Sequence, residues 1–257
     1  MNFSFYKYQG TGNDFVIIDN RQLFFPKNNT KLIAQVCDRK FGIGADGLIL
    51  LENHPRLDFT MVYYNADGHQ SSMCGNGGRC LVHFANYLKI IENKAVFEAI
   101  DGLHTAQIDN DIVSLKMNDV TTFKTEKESI FLNTGSPHHV TLCDTLDQLD
   151  IQTEGANLRH NLYGKEGANI NFVQQLEENL FAVRTYERGV EAETLSCGTG
   201  VTAVALAMHI KGKSISNEIQ LKTPGGDLIV KFQKEGSHYT NIYLVGPAVQ
   251  VFNGKWQ

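Results

Sequence analysis

The feature that most constrains the fold of this chain is an internal repeat with an offset of 123 residues (197 − 74 = 123). Cys74-Gly75-Asn76-Gly77-Gly78-Arg79 has a counterpart in Cys197-Gly198-Thr199-Gly200-Val201-Thr202. Four more pairs keep the same offset and order: Gly12 and Gly135, Gly44 and Gly167, Tyr63 and Tyr186, and Gly102 and Gly225. Because five matches at one offset are hard to obtain by chance, we interpret the chain as two homologous halves of about 120 residues each.

Both cysteines of the repeat are predicted to lie where a helix begins. Each directly precedes Gly-x-Gly, and apolar residues with helical spacing follow. These apolar positions are Leu81, Val82, Phe84, Ala85 and Leu88 in the first half and Val201, Val204, Ala205 and Met208 in the second. Apolar residues three and four apart indicate an amphipathic helix. At its N-terminus, backbone N–H groups and the helix dipole favour an anion, either a thiolate or a bound carboxylate.

The remaining segments are predicted to be mostly strands, so we expect one long helix in each half. The second of these helices is apolar nearly all round over residues 201–207, and it should be buried and wrapped by its own sheet. The first domain is predicted to hold residues 1–118 and a tail, 249–257, that adds a strand back onto it. The second domain is predicted to hold residues 119–248, with the inter-domain link in the polar stretch 118–128.

Composition excludes several classes of protein. The chain has 257 residues, 42% of them hydrophobic, and a formal net charge of −5, which is typical of a globular protein. Its 23 lysines and arginines are scattered, which argues against nucleic-acid binding and against a basic membrane face. The first ten residues lack the pattern of a signal peptide, and no apolar run approaches the ~20 residues of a membrane span. Five cysteines with irregular spacing favour a cytoplasmic protein with reduced thiols over a disulfide scaffold.

Two familiar site motifs are judged false. Gly42-Ile43-Gly44-Ala45-Asp46-Gly47 matches the dinucleotide pattern Gly-x-Gly-x-x-Gly, but a predicted helix precedes it and a predicted strand follows. Nucleotide binding needs the opposite order, so that the pyrophosphate meets a helix N-terminus. Zinc is not expected either, because no Cys-x-x-Cys occurs and His138, His139 and Cys143 lack a fourth ligand at familiar spacing.

The paired cysteines leave three interpretations open. An isolated cysteine is usually a small buried apolar residue, and Cys37, Cys80 and Cys143 are interpreted so. A structural disulfide between Cys74 and Cys197 is the second account. The third is acid–base chemistry: if the two halves face each other across a cleft, both thiols reach one site from opposite sides. A thiolate would then remove an α-proton from one face of a carbon while a thiol returns a proton to the other, as a racemase or epimerase requires.

Together the motifs resemble the diaminopimelate epimerase family, and the resemblance covers essentially the whole chain. It is carried by the segments Gly12-Asn13-Asp14-Phe15, Gly42 to Gly47, Tyr64-Asn65-Ala66-Asp67-Gly68, Cys74 to Arg79, Thr134-Gly135-Ser136-Pro137-His138, Asn169-Ile170-Asn171-Phe172, Tyr186-Glu187-Arg188-Gly189 and Cys197 to Gly200. The resemblance implies a cofactor-independent, PLP-independent isomerase that interconverts LL- and meso-diaminopimelate in lysine and peptidoglycan-precursor synthesis. It also implies an α/β fold of two pseudo-symmetric domains, each a mixed β-barrel-like sheet wrapped around a central helix.

The resemblance also implies roles for individual residues. Cys74 and Cys197 would be the acid–base pair, and the N–H groups of Gly75, Asn76, Gly198 and Thr199 would hold the carboxylate at the reacting centre. The distal end of the substrate would be bound by Asn13, Asn65, Asn169 and Arg188. Both His138 and Glu187 would lie beside the site, contact the substrate amine and tune the thiols. For each asparagine, turn formation is the alternative, and for Asn65 it is about as probable on turn statistics.

Two departures from the family pattern concern distal recognition: Gly47 stands where many members have an amide, and Ser136 where they have asparagine.

The expected partner is the small-molecule substrate diaminopimelate, with no cofactor, metal, nucleic acid or membrane. A homodimer is the expected assembly, although the sequence does not determine it. The competing functions are a proline or hydroxyproline racemase, a phenazine-type isomerase and a redox-responsive binding protein. Arg188 and the asparagines argue against the first, and the paired cysteines against the second.

Overall fold

The computed structural model of this chain describes residues 2–71 and 73–257. It divides into two compact units: one holds the residues up to Leu115 together with Gly246–Gln257, and the other holds Lys116–Val245. None of the helices in the described part of the chain has both the length and the apolar character needed to cross a membrane.

The first unit surrounds one buried helix with strands. In chain order its elements are β1 (Phe3–Gly10), β2 (Asn13–Asp19), α1 (Thr30–Cys37), β3 (Gly47–Glu52), β4 (Phe59–Asn65), α2 (Gly75–Tyr87), β5 (Lys94–Ala99), β6 (Gly102–Asp109) and β7 (Ile112–Lys116). The pairs β2–β3 and β4–β5 are parallel, whereas β1–β2, β3–β4, β5–β6 and β6–β7 are antiparallel. Helix α2 contacts β1, β2, β3 and β6, and its residues from Gly75 to Val82 are all buried.

The second unit repeats this arrangement. It contains β8 (Phe123–Thr125), β9 (Ser129–Asn133), β10 (Pro137–Leu142), a 3-10 turn (Leu146–Gln148), α3 (Ile151–Tyr163), β11 (Asn169–Glu177), β12 (Leu180–Glu187), β13 (Ala192–Thr194), α4 (Gly198–Ile210), β14 (Glu218–Thr223), β15 (Gly226–Glu235) and β16 (His238–Pro247). Here β10–β11 and β12–β14 are parallel, and β9–β10, β11–β12, β14–β15 and β15–β16 are antiparallel. Helix α4 is buried among β9, β10, β11, β12, β14 and β15.

Apart from the short strands β8 and β13, the two units share one order of helices and strands and one pairing scheme, which confirms the repeat and the predicted α/β fold class. The cysteine helices correspond residue for residue, since α2 begins at Gly75 and ends at Tyr87 while α4 begins at Gly198 and ends at Ile210. The final strand, β17 (Val249–Trp256), pairs antiparallel with β1 in the first unit. This strand lies in the tail that was expected to add a strand to the first domain.

The expectation of one long helix in each half holds in the first unit, where α1 has only 8 residues and α2 has 13, but it is wrong in the second. Helix α3 has 13 residues, as many as α4, but only Ile151 and Gly155 are buried, so its apolar periodicity is weak. The sequence marks this helix only at its two ends. Asp150 is the N-cap residue and accepts the N–H of Thr153, and Gly164 ends the helix with a φ of 53°. Gly155 lets the helix approach β12, because a Cβ there would collide with the ring of Tyr186. The short strands β8 and β13 were not predicted, and β8 falls inside the stretch expected to be a link.

The glycine-rich segment after α1 closes the end of that helix. The N–H of Gly42 donates to the carbonyl of Asp38 at 3.0 Å, and the N–H groups of Ile43 and Gly44 both donate to the carbonyl of Val36. Strand β3 then begins at Gly47. Helix therefore precedes the glycines and strand follows them, which confirms that the order is the reverse of a dinucleotide-binding turn.

Candidate active site

In the first unit, Cys74 is the N-cap residue of α2. It has extended backbone angles (φ −91°, ψ 128°), its carbonyl accepts the N–H of Gly78 at 2.7 Å, and its side chain does not cap the helix. The N–H groups of Gly75 and Asn76 belong to the first turn, where the peptide N–H groups point out of the helix N-terminus. A thiolate or a substrate carboxylate at this point would be stabilised by the helix dipole.

The side chain of Asn13, at the start of β2, lies against this thiol. Its Oδ1 accepts a hydrogen bond from the Cys74 thiol at 3.4 Å and one from the Asn76 side-chain amide at 3.3 Å. Its Nδ2 donates to the carboxylate of Asp46 at 2.6 Å. Because that carboxylate can only accept, the orientation of the Asn13 amide is fixed, and its oxygen is directed to Cys74.

A network of charged side chains holds Asp46, the residue that accepts from the Asn13 amide. Arg39 donates to both Asp14 and Asp46 at 2.7 Å, and Lys7 donates to Asp14 at 2.6 Å. Although burial raises the pKa of Asp14, the hydrogen bonds from Arg39 and Lys7 lower it to about 2. Both carboxylates therefore act as fixed acceptors that hold the turn between β1 and β2 in place.

The structure places Asn65 at the end of β4, where it pairs with Gly47 of β3. Its backbone forms a turn, since its carbonyl accepts the N–H of Gly68 at 2.9 Å and its N–H donates to His69. Its side chain is exposed. Gly47 also pairs with Phe15, two residues beyond Asn13, so the register of β2, β3 and β4 brings Asn13 and Asn65 to the same edge.

Gly47 is required by packing, so Gly47→Ala is expected to destabilise the fold by about 1–3 kcal/mol. A Cβ at this position would lie 2.5 Å from the Tyr63 ring and 2.5 Å from the carbonyl oxygen of Tyr64. Urea unfolding would measure the loss. The control is Ser4→Ala, at an exposed position of β1, which should change stability by less than about 0.5 kcal/mol. Equal stability of both variants would contradict the packing argument.

In the second unit, Cys197 is the N-cap residue of α4 and is 8% exposed. Its Sγ lies 3.5 Å from the hydroxyl of Thr199, and that hydroxyl lies 2.9 Å from Nε2 of His138. The carbonyl of Thr199 accepts a hydrogen bond from the hydroxyl of Thr134 at 2.8 Å, which fixes the first turn of the helix. These contacts connect His138 to the thiol through one hydroxyl group.

The hydrogen bonds of Asn171 determine which nitrogen of His138 carries the proton. The Thr185 hydroxyl donates to Oδ1 of Asn171, and Nδ2 of Asn171 donates to the carbonyl of His139 at 2.9 Å. This amide orientation makes Nδ2 the donor to Nδ1 of His138 at 3.2 Å. Nε2 of His138 therefore carries the proton and donates to the Thr199 hydroxyl, which keeps its own proton as a donor for other groups.

His138 is neutral in the folded protein. The side chain is fully buried, and burial, together with the charge of Arg188, lowers its pKa to about 3. At neutral pH it therefore supplies a hydrogen bond without a positive charge. A buried neutral imidazole can orient the Thr199 hydroxyl but does not act as a counter-ion to a thiolate.

Two of the four residues expected to bind the distal end of the substrate, Asn169 and Arg188, belong to a polar cluster in the second unit. The amide oxygen of Asn169 accepts the backbone N–H of Arg188 at 2.9 Å, and its nitrogen donates to Ser136 at 3.1 Å. The Arg188 guanidinium donates to the Glu166 carbonyl at 2.8 Å and is exposed. Ser136 thus lies between the two, at the position where relatives were expected to carry an asparagine.

Glu187 ends β12, directly before Arg188, and its carboxylate accepts a hydrogen bond from the Thr194 hydroxyl at 2.5 Å.

Within each unit, the structure brings together most of the residues singled out from the sequence. Sequence reasoning missed the side chains of Thr134, Asn171 and Thr199, although all three lie inside the quoted motifs, and it assigned no role to Arg79. Among the described residues, no three His, Cys, Asp or Glu side chains are grouped as a metal site would need.

The fold defines a class of proteins. It matches a phenazine biosynthesis protein of the PhzF family from Bacillus anthracis with a TM-score of 0.80, at 13% identity, over 100% of this chain and 99% of that chain. It also matches a hydroxyproline epimerase from Agrobacterium vitis with a TM-score of 0.70, at 13% identity, over 99% of this chain and 92% of that chain. At such identities the likeness establishes the two-unit fold and nothing about chemistry.

Sequence comparison defines the family. The diaminopimelate epimerase family model matches residues 5–122 and 130–251. The diaminopimelate epimerase of Flavobacterium psychrophilum is 61% identical over 249 residues, which are 96% of this chain and 97% of the relative. That of Chlorobaculum tepidum is 43% identical over 256 residues, covering 95% and 98%. The chain belongs to the diaminopimelate epimerase family, which confirms the resemblance found in the motifs.

Proposed function

We propose that this chain interconverts LL-2,6-diaminopimelate and meso-2,6-diaminopimelate without a cofactor, with Cys74 and Cys197 as its catalytic residues. Family membership supports the substrate and the reaction. One observation supports the mechanism above all: each unit presents a cysteine as the N-cap residue of a buried 13-residue helix, at equivalent positions of the repeat. Two equivalent thiols suit a reaction that needs a base on one face of a carbon and an acid on the other.

In this mechanism a thiolate removes the α-proton and becomes a thiol, while the other thiol gives its proton to the opposite face and becomes a thiolate. The configuration at the α-carbon inverts, and no proton is gained or lost. The reverse reaction exchanges the two roles. Each well-positioned acid or base of this kind typically contributes about 10²–10⁴-fold to the rate.

Removal of an α-proton places negative charge on the substrate, and this charge needs fixed stabilisation. The N–H groups of Gly75 and Asn76 at one helix N-terminus, and of Gly198 and Thr199 at the other, are suited to bind the α-carboxylate. Glycine as the first helical residue allows close approach of the substrate to the backbone. The Thr199 hydroxyl, oriented by His138, adds a donor beside Cys197.

The polar cluster of the second unit supports recognition of a distal carboxylate. Arg188 presents an exposed guanidinium that donates to the Glu166 carbonyl, while Asn169 accepts its backbone N–H. A guanidinium group binds carboxylates bidentately. We assign distal binding to Asn169 and Arg188, with Asn13 and Asn65 contributing from the first unit. Glu187 is assigned to the substrate amine.

The reaction supplies meso-diaminopimelate for lysine and peptidoglycan-precursor synthesis. The mechanism requires both cysteines to be reduced, one as thiolate and one as thiol, and this supports a reducing, cytoplasmic location. A homodimer is the assembly we propose, and sedimentation equilibrium would test it.

The decisive test is deuterium incorporation from D₂O under reducing conditions, with a panel of substrates. We expect LL-diaminopimelate to acquire deuterium at the α-carbon as it converts to the meso form. L-Lysine is the matched control, since it differs from diaminopimelate only by the missing distal carboxyl group, and it should exchange at least about 10²-fold more slowly. L-2-Aminopimelate, which keeps that carboxyl group, should exchange faster than lysine.

Three outcomes would contradict the proposal. A reduced enzyme that incorporates no deuterium from LL-diaminopimelate would favour a redox-responsive binding protein. Faster exchange from L-proline or trans-4-hydroxy-L-proline would favour the activity of the hydroxyproline epimerase neighbour. Equal exchange from lysine and diaminopimelate would remove the role of Arg188 in distal recognition.

A further inference from the structure

Through one hydrogen bond, Asp46 decides which end of the Asn13 amide faces Cys74. Its Oδ2 accepts from the side-chain nitrogen of Asn13 at 2.6 Å, which leaves the Asn13 oxygen directed to the thiol. In the reversed orientation the amide oxygen would meet the carboxylate, and two acceptors repel each other. Asn76 supports the observed orientation, because its side-chain amide donates to the same Asn13 oxygen at 3.3 Å.

Asp46 is itself held in place by charged and backbone groups. Its Oδ1 accepts from Arg39 at 2.7 Å, and the same guanidinium donates to the Asp14 carboxylate at 2.7 Å. The backbone N–H of Asp46 donates to the Asp14 carbonyl at 3.0 Å. Asp46 directly precedes β3, Asn13 begins β2, and the two strands are paired in parallel. The sheet and the ion pairs therefore set the orientation of the Asn13 amide before any substrate binds.

This orientation favours the protonated form of Cys74. An amide oxygen accepts a proton but has none to donate. Its contact with the Cys74 sulfur, at 3.4 Å, is therefore a hydrogen bond only while the sulfur carries its proton. A hydrogen bond to the neutral form of a group disfavours its charged form. The Asn13 oxygen thus acts against the N-terminus of α2, which favours the thiolate.

The thiol of the second unit meets a group with different chemistry. Cys197 lies 3.5 Å from the hydroxyl of Thr199, which accepts from Nε2 of His138 at 2.9 Å and keeps its own proton. A hydroxyl can donate to a thiolate as well as accept from a thiol, so this contact survives ionisation of the sulfur. Because both cysteines are N-cap residues of equivalent helices, the two thiols differ in this hydrogen-bonding partner rather than in the helix dipole.

The repeat supplies a counterpart of the Asn13–Asp46 pair with the opposite polarity. Ser136 and Asn169 stand at the positions of Asn13 and Asp46 (136 − 13 = 123 and 169 − 46 = 123). Here Asn169 donates its amide nitrogen to the Ser136 hydroxyl at 3.1 Å, whereas Asp46 accepts from Asn13. The first pair presents an amide oxygen, which only accepts, and the second presents a hydroxyl group that keeps its own proton.

We propose that Asp46 is a positioning residue that fixes the Asn13 amide, so that in the free enzyme Cys74 is held as the thiol and Cys197 is the first of the two to ionise. This rests on the two-base mechanism proposed above and deepens it, because it gives the two thiols different resting states. Cys197 then takes the α-proton while Cys74 gives its own proton to the opposite face. The stereoisomer that needs the opposite roles must wait until a proton has moved from Cys197 to solvent and from solvent to Cys74, or the reverse.

The other titratable groups on the elements around the two cysteine helices stay unchanged in the variants that test this proposal. In the first unit they are Lys7 of β1, Asp14 of β2, Glu52 of β3, the pair of Asp101 and His104 at β6, Lys255 of β17, and Arg79 and His83 of α2. In the second unit they are His138 and His139 of β10, Arg184 and Glu187 of β12, the exposed Arg188, the pair of Glu218 and Lys231 on β14 and β15, and His209 of α4.

The first test is the pH dependence of iodoacetamide alkylation at each thiol, resolved by peptide mass spectrometry, in full-length enzyme without substrate. Cys74 is measured in the Cys197→Ala variant, and Cys197 in the Cys74→Ala variant. Each rate is expressed relative to its own plateau at high pH, so that access to the reagent cancels. We expect the midpoint for Cys197 to lie at least about one pH unit below that for Cys74, a tenfold difference in ionisation. Equal midpoints, or a lower midpoint for Cys74, would overturn the proposal.

The second test substitutes Asp46→Asn in the Cys197→Ala protein. The Asn13 amide can then reverse and direct its nitrogen to the sulfur, so the Cys74 midpoint should fall by about one unit. Loss of a negative charge also acts directly on the thiol, and the double variant with Asn13→Ala separates the two effects. Without an amide to orient, Asp46→Asn should shift the midpoint by less than about half as much. Asp109→Asn, at an exposed position of β6, is the matched control and should leave the midpoint unchanged.

A Cys74 midpoint that does not move in folded Asp46→Asn enzyme, or that moves equally with and without Asn13, would remove the role of Asp46. If Asp46→Asn does not fold, Asn13→Ala alone still decides, because loss of the acceptor should itself lower the Cys74 midpoint. Alkylation needs no turnover, so failure of the epimerase reaction would be seen separately, in the deuterium assay.

Discussion

Replacing either Cys74 or Cys197 by alanine is expected to lower kcat for the interconversion of LL- and meso-diaminopimelate by about 10³-fold or more. Each variant keeps a helix N-terminus that can bind the carboxylate, so KM should change far less than kcat. The reason is that either variant lacks the acid or the base for one face of the α-carbon. Chiral chromatography of the two stereoisomers measures the rate.

Cys143→Ala is the matched control for this prediction. Cys143 is a partly buried cysteine of the second unit, and its thiol donates to the carbonyl of Val173 at 3.5 Å. It follows β10 and does not belong to the cysteine motif that begins α4. Cys143→Ala should keep kcat within about twofold of the wild-type value, since substitutions outside the core and the active site usually have small effects. Wild-type rates in both Cys74→Ala and Cys197→Ala would disprove the assignment of the catalytic pair.

Stability should fall steeply as the pH falls below about 6.5, with His138 as a main cause. Burial lowers its pKa from the usual 6.5 to about 3, so between these values the unfolded chain binds a proton that the folded protein does not. Stability is therefore complete above pH 6.5 and decreases by up to about 1.4 kcal/mol for each pH unit below it. Over the whole window this is on the order of 4 kcal/mol.

Urea unfolding of wild type and His138→Gln at pH 7 and pH 5 would measure this effect. The variant should be less stable at pH 7, because the donor to Thr199 is changed, but it should lose about 2 kcal/mol less between the two pH values. His139 and His209, whose pKa values burial also lowers, contribute to both proteins alike. Ser4→Ala, at an exposed position of β1, should follow the wild-type pH dependence. Identical slopes for wild type and His138→Gln would refute the assignment.

The cysteine helices could be predicted because their signals are local. Cysteine, glycines and apolar spacing lie within 15 residues, and the repeat at 123 residues supplied a second, independent copy of the same pattern. Helix α3 escaped prediction because its polar composition hides the period on which such reasoning depends. Its cap at Asp150 and its terminal Gly164 were visible signals, but caps without periodicity are weak.

The site residues also divide into those with a local sequence signal and those placed by contacts between distant segments. Thr199 adjoins Cys197, so its hydroxyl could have been considered, whereas the donor that orients it, His138, lies 61 residues away. The contact between Arg79 and Thr11 spans 68 residues, and nothing in the local sequence shows that this arginine is buried. Arginine is almost never fully buried unless paired, so composition alone predicts a solvated side chain. Only the tertiary structure reveals that Arg79 is fully buried.

The pairing of β17 with β1 has a consequence for how the protein is made. Phe3 pairs with Trp256, so the sheet that encloses Cys74 joins segments separated by almost the entire chain, whereas the unit that encloses Cys197 is a continuous stretch. Because distant segments meet slowly and only after both have left the ribosome, we expect the Cys197 unit to finish folding first. Cys74 would then be the later of the two thiols to reach its folded environment, because its sheet is complete only after β17 has paired with β1.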